Sequence, residues 1–375
     1  MAKDHSKINK KIMYLADTYE SPYAGTEGQM KMLIEGMKGV GMLPRLTLLR
    51  DSEYIKENGF ICPVDILDVH SLFNPVSFIK IMQFAKKIKQ DGYSLVHIFF
   101  NDSSLLAPVV LRMLGIRVII SRRDMGFWYS PLKLFVLRFN SFFINRVIVN
   151  SKAVASITAK KEKINTNKIE VIYNGYDFKC SDDIENQGLS DDELSKFNSA
   201  LVVGLVANIR KIKRIDDLIR AVPLVLEKIP SVKFLVIGGG DADELTDMAD
   251  KLSVKDDIIF LGQKSNASDY IKLFDVGVLC SESEGFSNSI IEYMQAHTAV
   301  VCTDVGGNSE IVFDGKSGFL IDVGDVENLA GSILKLLLDK QLCTEMADFG
   351  YEYVTSNFSR DKMLNQHVTL YEELA

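Results

Sequence analysis

Residues 276–292 read VGVLCSESEGFSNSIIE, and their pattern indicates the fold class. Its first residues are apolar like a buried strand, the next are mostly small or polar, and apolar residues then resume with helical spacing. A strand, a turn and a helix in this order are the unit of a parallel α/β sheet. The first backbone N–H groups of such a helix are unpaired, and the helix dipole favours negative charge beside them. We therefore predict a phosphate or diphosphate site on the backbone of Gly285, Phe286, Ser287 and Asn288.

Two glutamates flank the helix start. Glu284 lies just before it and Glu292 lies eight residues later, a rise of about 12 Å along a helix. Carboxylates so placed could each accept hydroxyl hydrogen bonds at opposite ends of one nucleotide sugar, with the diphosphate between them. The alternative is that Glu284 caps the helix and Glu292 lies on its solvated face. The spacing alone leaves both interpretations open.

Short apolar runs alternate with longer amphipathic segments along the whole chain. This alternation is typical of a mostly parallel sheet flanked by helices, and it restarts after a polar interval in mid-chain. The predicted strands are 11–16, 46–49, 64–69, 95–100, 117–121, 146–150 and 169–173, then 201–207, 234–237, 258–261, 276–280, 299–303 and 319–321. The sequence thus predicts two Rossmann-like, doubly wound α/β domains, whose ligands lie beyond the carboxyl ends of the strands.

The polar interval, residues 178–199, is rich in acids and poor in large apolar residues, so we place an acidic linker there. The predicted domains are residues 1–177 and 200–359, because 375 residues exceed what one hydrophobic core usually holds. The formal charge of −7 divides into +10 over residues 1–180 and −17 over residues 181–375. This asymmetry favours two domains with different electrostatic tasks.

The composition, with 47% hydrophobic and 25% charged residues, is that of an ordinary globular protein. Five scattered cysteines form no C-x-x-C pair, which argues against a disulfide framework or zinc site and favours a reducing cytoplasm. The first apolar run, 12–16, is too short for a signal peptide, and the most apolar stretch, 105–120, contains two arginines. We expect neither a signal peptide nor a membrane-spanning segment.

Three segments of the second half together resemble glycosyltransferase family 4. They are the turn that ends in Glu292, residues 302–310 (CTDVGGNSE) and residues 315–320 (GKSGFL). Residues 173–175 (YNG) and 238–240 (GGG) are similar to further family segments, so the resemblance covers nearly the whole chain. Family members are retaining enzymes of the GT-B fold, α/β proteins with two Rossmann-like domains facing a central cleft.

The resemblance implies roles for the residues singled out above. Glu284 would contact the transferred sugar and Glu292 the ribose, while the turn amides would contact the diphosphate or the sugar. In the family, a glycine loop of the first domain faces the donor diphosphate, and here residues 23–29 read YAGTEGQ after the first strand. We therefore expect Gly25 and Thr26 to contact the donor diphosphate. The alternative is an ordinary tight turn capped by Thr26.

A cluster of cations follows the first strand of the second domain. Residues 208–214 read NIRKIKR, with four cations in an otherwise acidic domain, and a diphosphate leaving group is one reason to place them there. The family usually has arginine and lysine five positions apart here, which matches Lys213 but finds Asn208 instead of arginine. We expect Lys213 to act on the diphosphate and Arg210 to replace the missing arginine. The alternative for both is a solvated start of the next helix.

A fourth candidate is the stretch SRRDMG, residues 121–126. Many family members have a histidine after this strand, whereas this chain has Arg123 and Asp124. We expect Asp124 or Arg123 to contact the donor sugar or the acceptor, and the alternative is that the two pair with each other. His97 lies in an apolar run and is interpreted as a core or cleft-wall residue rather than a general base.

Other function classes lack their sequence signals. The chain contains no G-x-x-x-x-G-K-[ST], no G-x-S-x-G and no G-x-G-x-x-G followed by an acid about twenty residues later. A metal-binding D-x-D after a strand is also missing, since residues 241–243 (DAD) begin a helix. We expect no metal and no other cofactor, because cations and a helix dipole can stabilise a departing diphosphate. The acidic balance and the lack of a reader module argue against nucleic-acid binding.

Residues 77–90 and 131–146 combine apolar and basic side chains. Helices of this kind can lie on an anionic membrane surface, or they can pack on the sheet with their lysines in solvent. An enzyme that acts on lipid-linked glycans would benefit from the first arrangement. We therefore expect a cytoplasmic protein with possible peripheral contact to the inner face of the membrane.

The predicted function is transfer of a sugar from a nucleoside diphosphate sugar to a hydroxyl acceptor, with retention of anomeric configuration. The acceptor would be a glycan or lipid-linked glycan of cell-surface polysaccharide biosynthesis. The first domain would bind the acceptor, the second would bind the donor, and a helix at 360–375 would return to the first domain. The alternatives are a nucleotide-sugar epimerase or phosphorylase and a non-catalytic sugar-nucleotide-binding subunit on the same fold.

Overall fold

The computed structural model of the chain describes residues 10–22, 25–72, 74–178, 200–264 and 266–374. These residues divide into two units by their internal contacts. The first unit holds the chain up to Tyr176 together with the segment from Arg360 onward, and the second runs from Asp177 to Ser359. The predicted acidic linker, 178–199, lies outside the described residues from position 179 onward.

The described part of the first unit contains a sheet of seven strands, each parallel to its neighbours. In chain order the strands are β1 (Lys11–Ala16), β2 (Leu43–Leu48), β3 (Val64–Ile66), β4 (Leu95–Ile98), β5 (Arg117–Arg122), β6 (Arg146–Val149) and β7 (Ile169–Val171). Their order across the sheet is β3-β2-β1-β4-β5-β6-β7. The helices between them are α1 (Gly25–Gly39), α2 (Glu53–Asn58), α3 (Pro75–Gln90), α4 (Asn101–Met113), α5 (Pro131–Asn140) and α6 (Lys152–Glu162).

The described part of the second unit contains a parallel sheet of six strands. They are β8 (Val202–Val206), β9 (Lys233–Ile237), β10 (Ile258–Gly262), β11 (Val276–Leu279), β12 (Ala299–Thr303) and β13 (Gly318–Ile321). Their order is β10-β9-β8-β11-β12-β13. The helices are α7 (Ile215–Leu226), α8 (Asp243–Lys251), α9 (Ala267–Ile271), α10 (Asn288–Gln295), α11 (Val326–Leu338) and α12 (Lys340–Asn357).

A further helix, α13 (Arg360–Leu374), follows the second unit but packs in the first. It contacts α1, where Gly36 admits Leu364 so closely that a Cβ at Gly36 would lie 2.3 Å from the leucine Cδ2. Its Tyr371 hydroxyl lies 2.6 Å from His97 Nδ1 in β4. The helix therefore covers one face of the first sheet.

Both sheets are buried on both faces. In the first unit, apolar side chains of α1 and α13 cover one face and those of α3, α4 and α6 cover the other. In the second unit, α7, α11 and α12 contribute to a core with the strands. Strands buried on two faces appear in sequence as continuous apolar runs.

The prediction of two doubly wound α/β domains is confirmed, and all thirteen predicted strands are present among the described residues. β1 and β12 have the predicted bounds, whereas β3 ends at Ile66 instead of residue 69, because Asp68 turns the backbone to φ +55. Within the described ranges, none of the helices combines the length and apolar character that crossing a bilayer requires.

Each sheet has a point where the strand order reverses, between β1 and β4 in the first and between β8 and β11 in the second. Ligands of doubly wound sheets bind beyond the carboxyl ends of the strands at such a point. Lys213 follows β8 and Glu284 follows β11. The fold thus brings the two residues to the switch point of the second sheet.

Candidate active site

The turn that was predicted to bind phosphate connects β11 to α10. Ser281 lies just beyond the strand and is fully buried, and Phe286 and Ser287 are buried as well. Asn288 is the first helical residue, and Ser287 occupies the N-cap position without a side-chain hydrogen bond to the helix. The predicted order of strand, turn and helix is confirmed here.

The carboxylate of Glu284 is held by two donors on one oxygen. Lys213 Nζ lies 2.6 Å from Glu284 Oε1, and Ser281 Oγ donates to the same atom at 2.6 Å. The side chains of Glu284 and Lys213 are 11% and 24% exposed, so water screens their attraction less than that of a surface pair. Among the described residues, no donor contacts Oε2. Glu284 is therefore part of an ion pair and does not cap α10.

The backbone around this pair is tied together across the switch point. Glu282 N donates to Ile212 O at 2.8 Å, which joins the turn after β11 to the turn after β8. Thr303, the last residue of β12, donates its hydroxyl to Ser281 O at 2.6 Å. Three neighbouring strands thus contribute to the position of the turn.

Gly306 supports the backbone of Glu284 from the loop after β12. It has φ +54, and a Cβ at this position would lie 1.6 Å from Glu284 O. Only glycine allows so close an approach with this backbone conformation. Ser281, Thr303 and Gly306 were not predicted to have a role, although Thr303 and Gly306 lie in the segment that carried the family resemblance.

Arg210 and Arg214 of the predicted cluster do not contact Glu284. Arg210 is exposed, and its side chain makes no hydrogen bond or ion pair in the part of the chain that is described. Arg214 donates to both carboxylate oxygens of Asp217, at 2.6 and 2.9 Å. Lys213 is thus the cation of this cluster that contacts Glu284, and Arg210 lies nearby in solvent.

Asn208 occupies the position at which the family usually has arginine. Its Oδ1 accepts a hydrogen bond from Gly239 N at 3.2 Å. Asn208 therefore stabilises the glycine turn after β9 instead of supplying a charge.

Glu292 lies on α10 and is partly buried. Its carboxylate has no hydrogen-bond or ion-pair partner among the residues the structure describes, and burial raises the pKa of this group. A partly buried carboxyl without donors is less stable than one that is hydrogen-bonded. The position suits a group that accepts hydrogen bonds from a ligand better than the solvated face that was the alternative.

In the first unit, Gly25 is the exposed first residue of α1 and Thr26 is the second. Residues 23–24 of the predicted glycine loop lie outside the described ranges. Glu27 is buried, its Oε1 accepts from Glu20 N at 2.5 Å, and burial raises the pKa of its carboxyl. This carboxylate, which was not predicted to have a role, holds the backbone at Glu20.

Arg123 and Asp124 do not pair with each other, so the alternative of a mutual pair is wrong. Arg123 donates to Asn174 Oδ1 at 2.6 Å, and burial lowers the pKa of its guanidinium to about 10. Asp124 Oδ1 accepts from Gly126 N at 2.6 Å and from Trp128 Nε1 at 3.1 Å, while burial raises the pKa of this carboxyl. Asp124 therefore shapes the loop after β5, and Arg123 has no acidic partner among the described residues.

His97 is fully buried, and both ring nitrogens are hydrogen-bonded, Nδ1 to Tyr371 Oη at 2.6 Å and Nε2 to Ser121 Oγ at 2.8 Å. Burial lowers the pKa of the imidazole well below its usual value. Its interpretation as a core residue is confirmed.

Comparison with known proteins identifies the family. The family described as Glycosyltransferase Family 4 matches residues 47–179, and the one described as Glycosyl transferases group 1 matches residues 188–353. The chain belongs to glycosyltransferase family 4. The predicted family is confirmed, and both predicted domains of this family 4 chain contain matched residues.

Curated relatives of this family 4 chain carry the names of enzymes. The capsular polysaccharide biosynthesis glycosyltransferase CapM of Staphylococcus aureus is 27% identical over 252 residues, which cover 66% of this chain and 66% of CapM. The UDP-Gal:alpha-D-GlcNAc-diphosphoundecaprenol alpha-1,3-galactosyltransferase of Escherichia coli is 24% identical over 346 residues, which cover 84% and 88%. The N-acetyl-alpha-D-glucosaminyl L-malate synthase of Bacillus anthracis is 28% identical, but the match spans 45% of this chain and less than half, 44%, of that relative. These relatives do not favour an epimerase or a non-catalytic subunit.

A crystal structure of Anabaena HepE in complex with UDP has a TM-score of 0.83 to this chain at 21% identity, and the match covers 97% of this chain and 100% of HepE. At that identity the likeness establishes the fold alone. The GT-B fold class predicted for this family 4 chain is therefore confirmed.

Proposed function

We propose that the chain is a retaining glycosyltransferase that moves a sugar from a nucleoside diphosphate sugar to an acceptor hydroxyl. The observation that carries the proposal is the ion pair of Lys213 and Glu284. It sets a cation and a carboxylate 2.6 Å apart at the switch point of the second sheet, where ligands of doubly wound sheets bind. The complex of HepE with UDP, on the same fold, supports a nucleotide donor.

Cleavage of the bond between sugar and diphosphate leaves negative charge on the leaving group. We assign the stabilisation of this charge to Lys213, with Arg210 as a second cation and the N–H groups of Gly285, Phe286, Ser287 and Asn288 as dipolar donors. These groups supply positive charge without a metal ion, so we propose a metal-independent reaction. Glu284 would accept hydroxyl hydrogen bonds from the transferred sugar through Oε2, because Oε1 is already occupied by two donors.

Glu292 is proposed to bind the ribose of the donor. Ribose hydroxyls would give its carboxylate the donors that it lacks among the described residues. Such hydrogen bonds favour the ionised carboxylate and would lower the pKa that burial raises.

Acceptor binding is assigned to the first unit. Arg123 and Asp124 are the candidate contacts to the acceptor or the donor sugar, and Gly25 and Thr26 stay predicted contacts of the donor diphosphate. The Escherichia coli relative is named for a diphosphoundecaprenol-linked acceptor, which supports a lipid-linked glycan of cell-surface polysaccharide biosynthesis.

The transferase proposal is tested in two steps. UDP, GDP and ADP are first screened for thermal stabilisation, since a ligand at 100 times its Kd adds about 2.7 kcal/mol. Hydrolysis and transfer from the matching sugar nucleotide are then measured for the wild type, Glu284→Gln and the control Glu327→Gln in the first turn of α11.

We expect Glu284→Gln to keep nucleotide binding and to lose at least about 100-fold in kcat, while Glu327→Gln is unchanged. Nucleotide binding without turnover in the wild type would overturn the transferase proposal. Proton NMR of the product reports the anomeric configuration, and inversion would contradict retention. Loss of activity in EDTA, restored by Mg²⁺, would contradict metal independence.

We also propose that the surface around α5 contacts an anionic membrane from the cytoplasmic side. Phe135 on α5 is 71% exposed, and Phe127 and Phe142 on either side of the helix are 74% and 80% exposed. Residues 125–161 contain six cations and no acid. Exposed aromatic rings with an excess of basic charge suit the interface of an anionic bilayer.

The other predicted segment, on α3, is less suited to this role. It exposes Phe78 and Ile79, but Lys80 lies 3.0 Å from Asp68 and Lys87 lies 3.6 Å from Asp65. Asp68 and Asp65 offset part of the positive charge of α3, whereas residues 125–161 around α5 contain no acidic residue. We therefore assign the membrane contact to α5.

Sedimentation with phosphatidylglycerol vesicles tests this surface. The wild type should pellet with them at about 0.05 M salt, be released near about 0.5 M, and stay unbound with neutral phosphatidylcholine vesicles. The variant with Phe135→Ser and Phe142→Ser should lose binding, while Leu338→Ser, which changes a residue 68% exposed on α11, should not. Equal recovery with neutral vesicles would refute the proposal, as would a double variant that binds like the wild type. A change in oligomeric state without a change in vesicle binding would instead assign the surface to self-association.

A further inference from the structure

Glu284 Oε1 accepts hydrogen bonds from two donors of very different mobility. Ser281 is fully buried at the end of β11, and its short side chain has few accessible rotamers. Lys213 reaches the same oxygen through a long, flexible side chain that is 24% exposed. One contact of the carboxylate is therefore rigid and the other can move.

Ser281 is itself fixed from the neighbouring strand. Its carbonyl accepts the Thr303 hydroxyl at 2.6 Å, and the Thr303 carbonyl accepts Asn308 Nδ2 at 3.0 Å. Thr303 and Asn308 are 1% and 0% exposed, so water does not compete for these bonds. A chain of buried hydrogen bonds thus runs from the loop after β12 to the carboxylate of Glu284.

From this chain we infer that Ser281 is a positioning residue, which keeps Glu284 in place when Lys213 turns from it to the donor diphosphate. The inference rests on the proposed function, in which Lys213 acts on the diphosphate and Glu284 on the sugar. With Lys213 as its only donor, Glu284 would lose its orientation at the moment the diphosphate binds. With Ser281 in place, Oε1 stays hydrogen-bonded and Oε2 stays available to the sugar.

The test measures kcat and the KM for the donor in Ser281→Ala, Glu284→Gln and the double variant. Ser281→Ala should lower kcat by about 10- to 100-fold, the effect of one hydrogen bond to a charged group, with KM within about threefold. In the Glu284→Gln background the same substitution should add less than about twofold, because Ser281 acts through the carboxylate.

Ser317→Ala is the matched control. Ser317 is a fully buried serine of the second unit, and its Oγ accepts from Phe313 N at 2.9 Å within its own loop. Ser317→Ala should destabilise the second unit about as much as Ser281→Ala does, and it should leave kcat unchanged.

Failure of the proposed function and failure of the positioning role of Ser281 give different results. If Glu284→Gln retains the wild-type kcat, the proposed function fails. If Glu284→Gln shows the expected loss in kcat but Ser281→Ala matches Ser317→Ala, or lowers kcat by the same factor in the wild-type and Glu284→Gln backgrounds, the positioning role fails. Should Ser281→Ala not fold, Thr303→Val removes the support of Ser281 and should lower kcat in the same non-additive pattern, whereas a wild-type kcat would overturn the inference.

Discussion

Replacement of Gly306 by alanine should displace Glu284 without removing any functional side chain. The left-handed backbone at φ +54 costs alanine about 1 kcal/mol relative to glycine. The steric effect is larger, since the added Cβ would lie 1.6 Å from Glu284 O and a close carbon–oxygen contact is about 3.3 Å. The two loops must therefore separate by roughly 1.7 Å. Because a displacement of about 1 Å can cost about 100-fold in rate, we expect kcat to fall by at least that factor.

Gly315→Ala separates the steric effect from the backbone effect. Gly315 has φ +71, but no atom lies within 4 Å of the position of its Cβ, so alanine there meets the same conformational cost without a collision. Initial rates of sugar transfer and thermal midpoints are measured for both variants. A kcat of Gly306→Ala within about threefold of that of Gly315→Ala would show that Gly306 does not hold Glu284 in place.

Two further predictions concern the first unit. Arg122→Met should lower the free energy of unfolding by about 3–5 kcal/mol, because it leaves the buried carboxylate of Glu162 without its cation. Arg45 pairs with Asp65, and both side chains are 29% exposed, so Arg45→Met should lower the free energy of unfolding by less than about 1 kcal/mol. Both variants are measured by urea unfolding, and equal losses of stability would show that burial of the Arg122–Glu162 pair does not set its contribution. Stability should also fall as the pH drops below about 6.5. Burial lowers the pKa of His97 well below its usual value and lowers that of His367 to about 4, so only the unfolded chain binds these protons just below pH 6.5. His367→Gln should reduce that slope by up to about 1.4 kcal/mol per pH unit, and an unchanged slope in urea unfolding would refute the attribution.

The strands could be predicted from sequence because parallel strands buried on both faces are apolar at nearly every position. The ends of the strands were less predictable. At β3, for example, Asp68 adopts a left-handed backbone conformation at a position where the sequence has no glycine to indicate it. The start of α4 carries no local cap either. Its N-cap residue, Phe100, has no side-chain hydrogen bond, and the carboxylate of Asp17 beyond β1 accepts from three of its first N–H groups instead. A cap supplied by another strand leaves no signal in the helix sequence.

In the candidate site, too, some features could be predicted from the sequence and others could not. Lys213 and Glu284 were predicted to serve one ligand, and the structure brings them together because β8 and β11 are neighbours. The roles of Ser281 and Gly306 were not predicted, since they depend on the exits of β11 and β12 lying side by side. The local sequence shows which residues could act, whereas the contacts of Ser281 and Gly306 with Glu284 depend on the order of the strands in the sheet.

The helix α13 also has a consequence for the order of folding during synthesis. It completes the apolar core over α1, yet the ribosome makes residues 177–359 before it. The second unit is continuous in sequence and can fold as it emerges, while the first waits with an uncovered apolar face. At about 5–20 residues per second this exposure lasts roughly 10 to 40 seconds, a period in which the nascent first unit is open to aggregation and to chaperones.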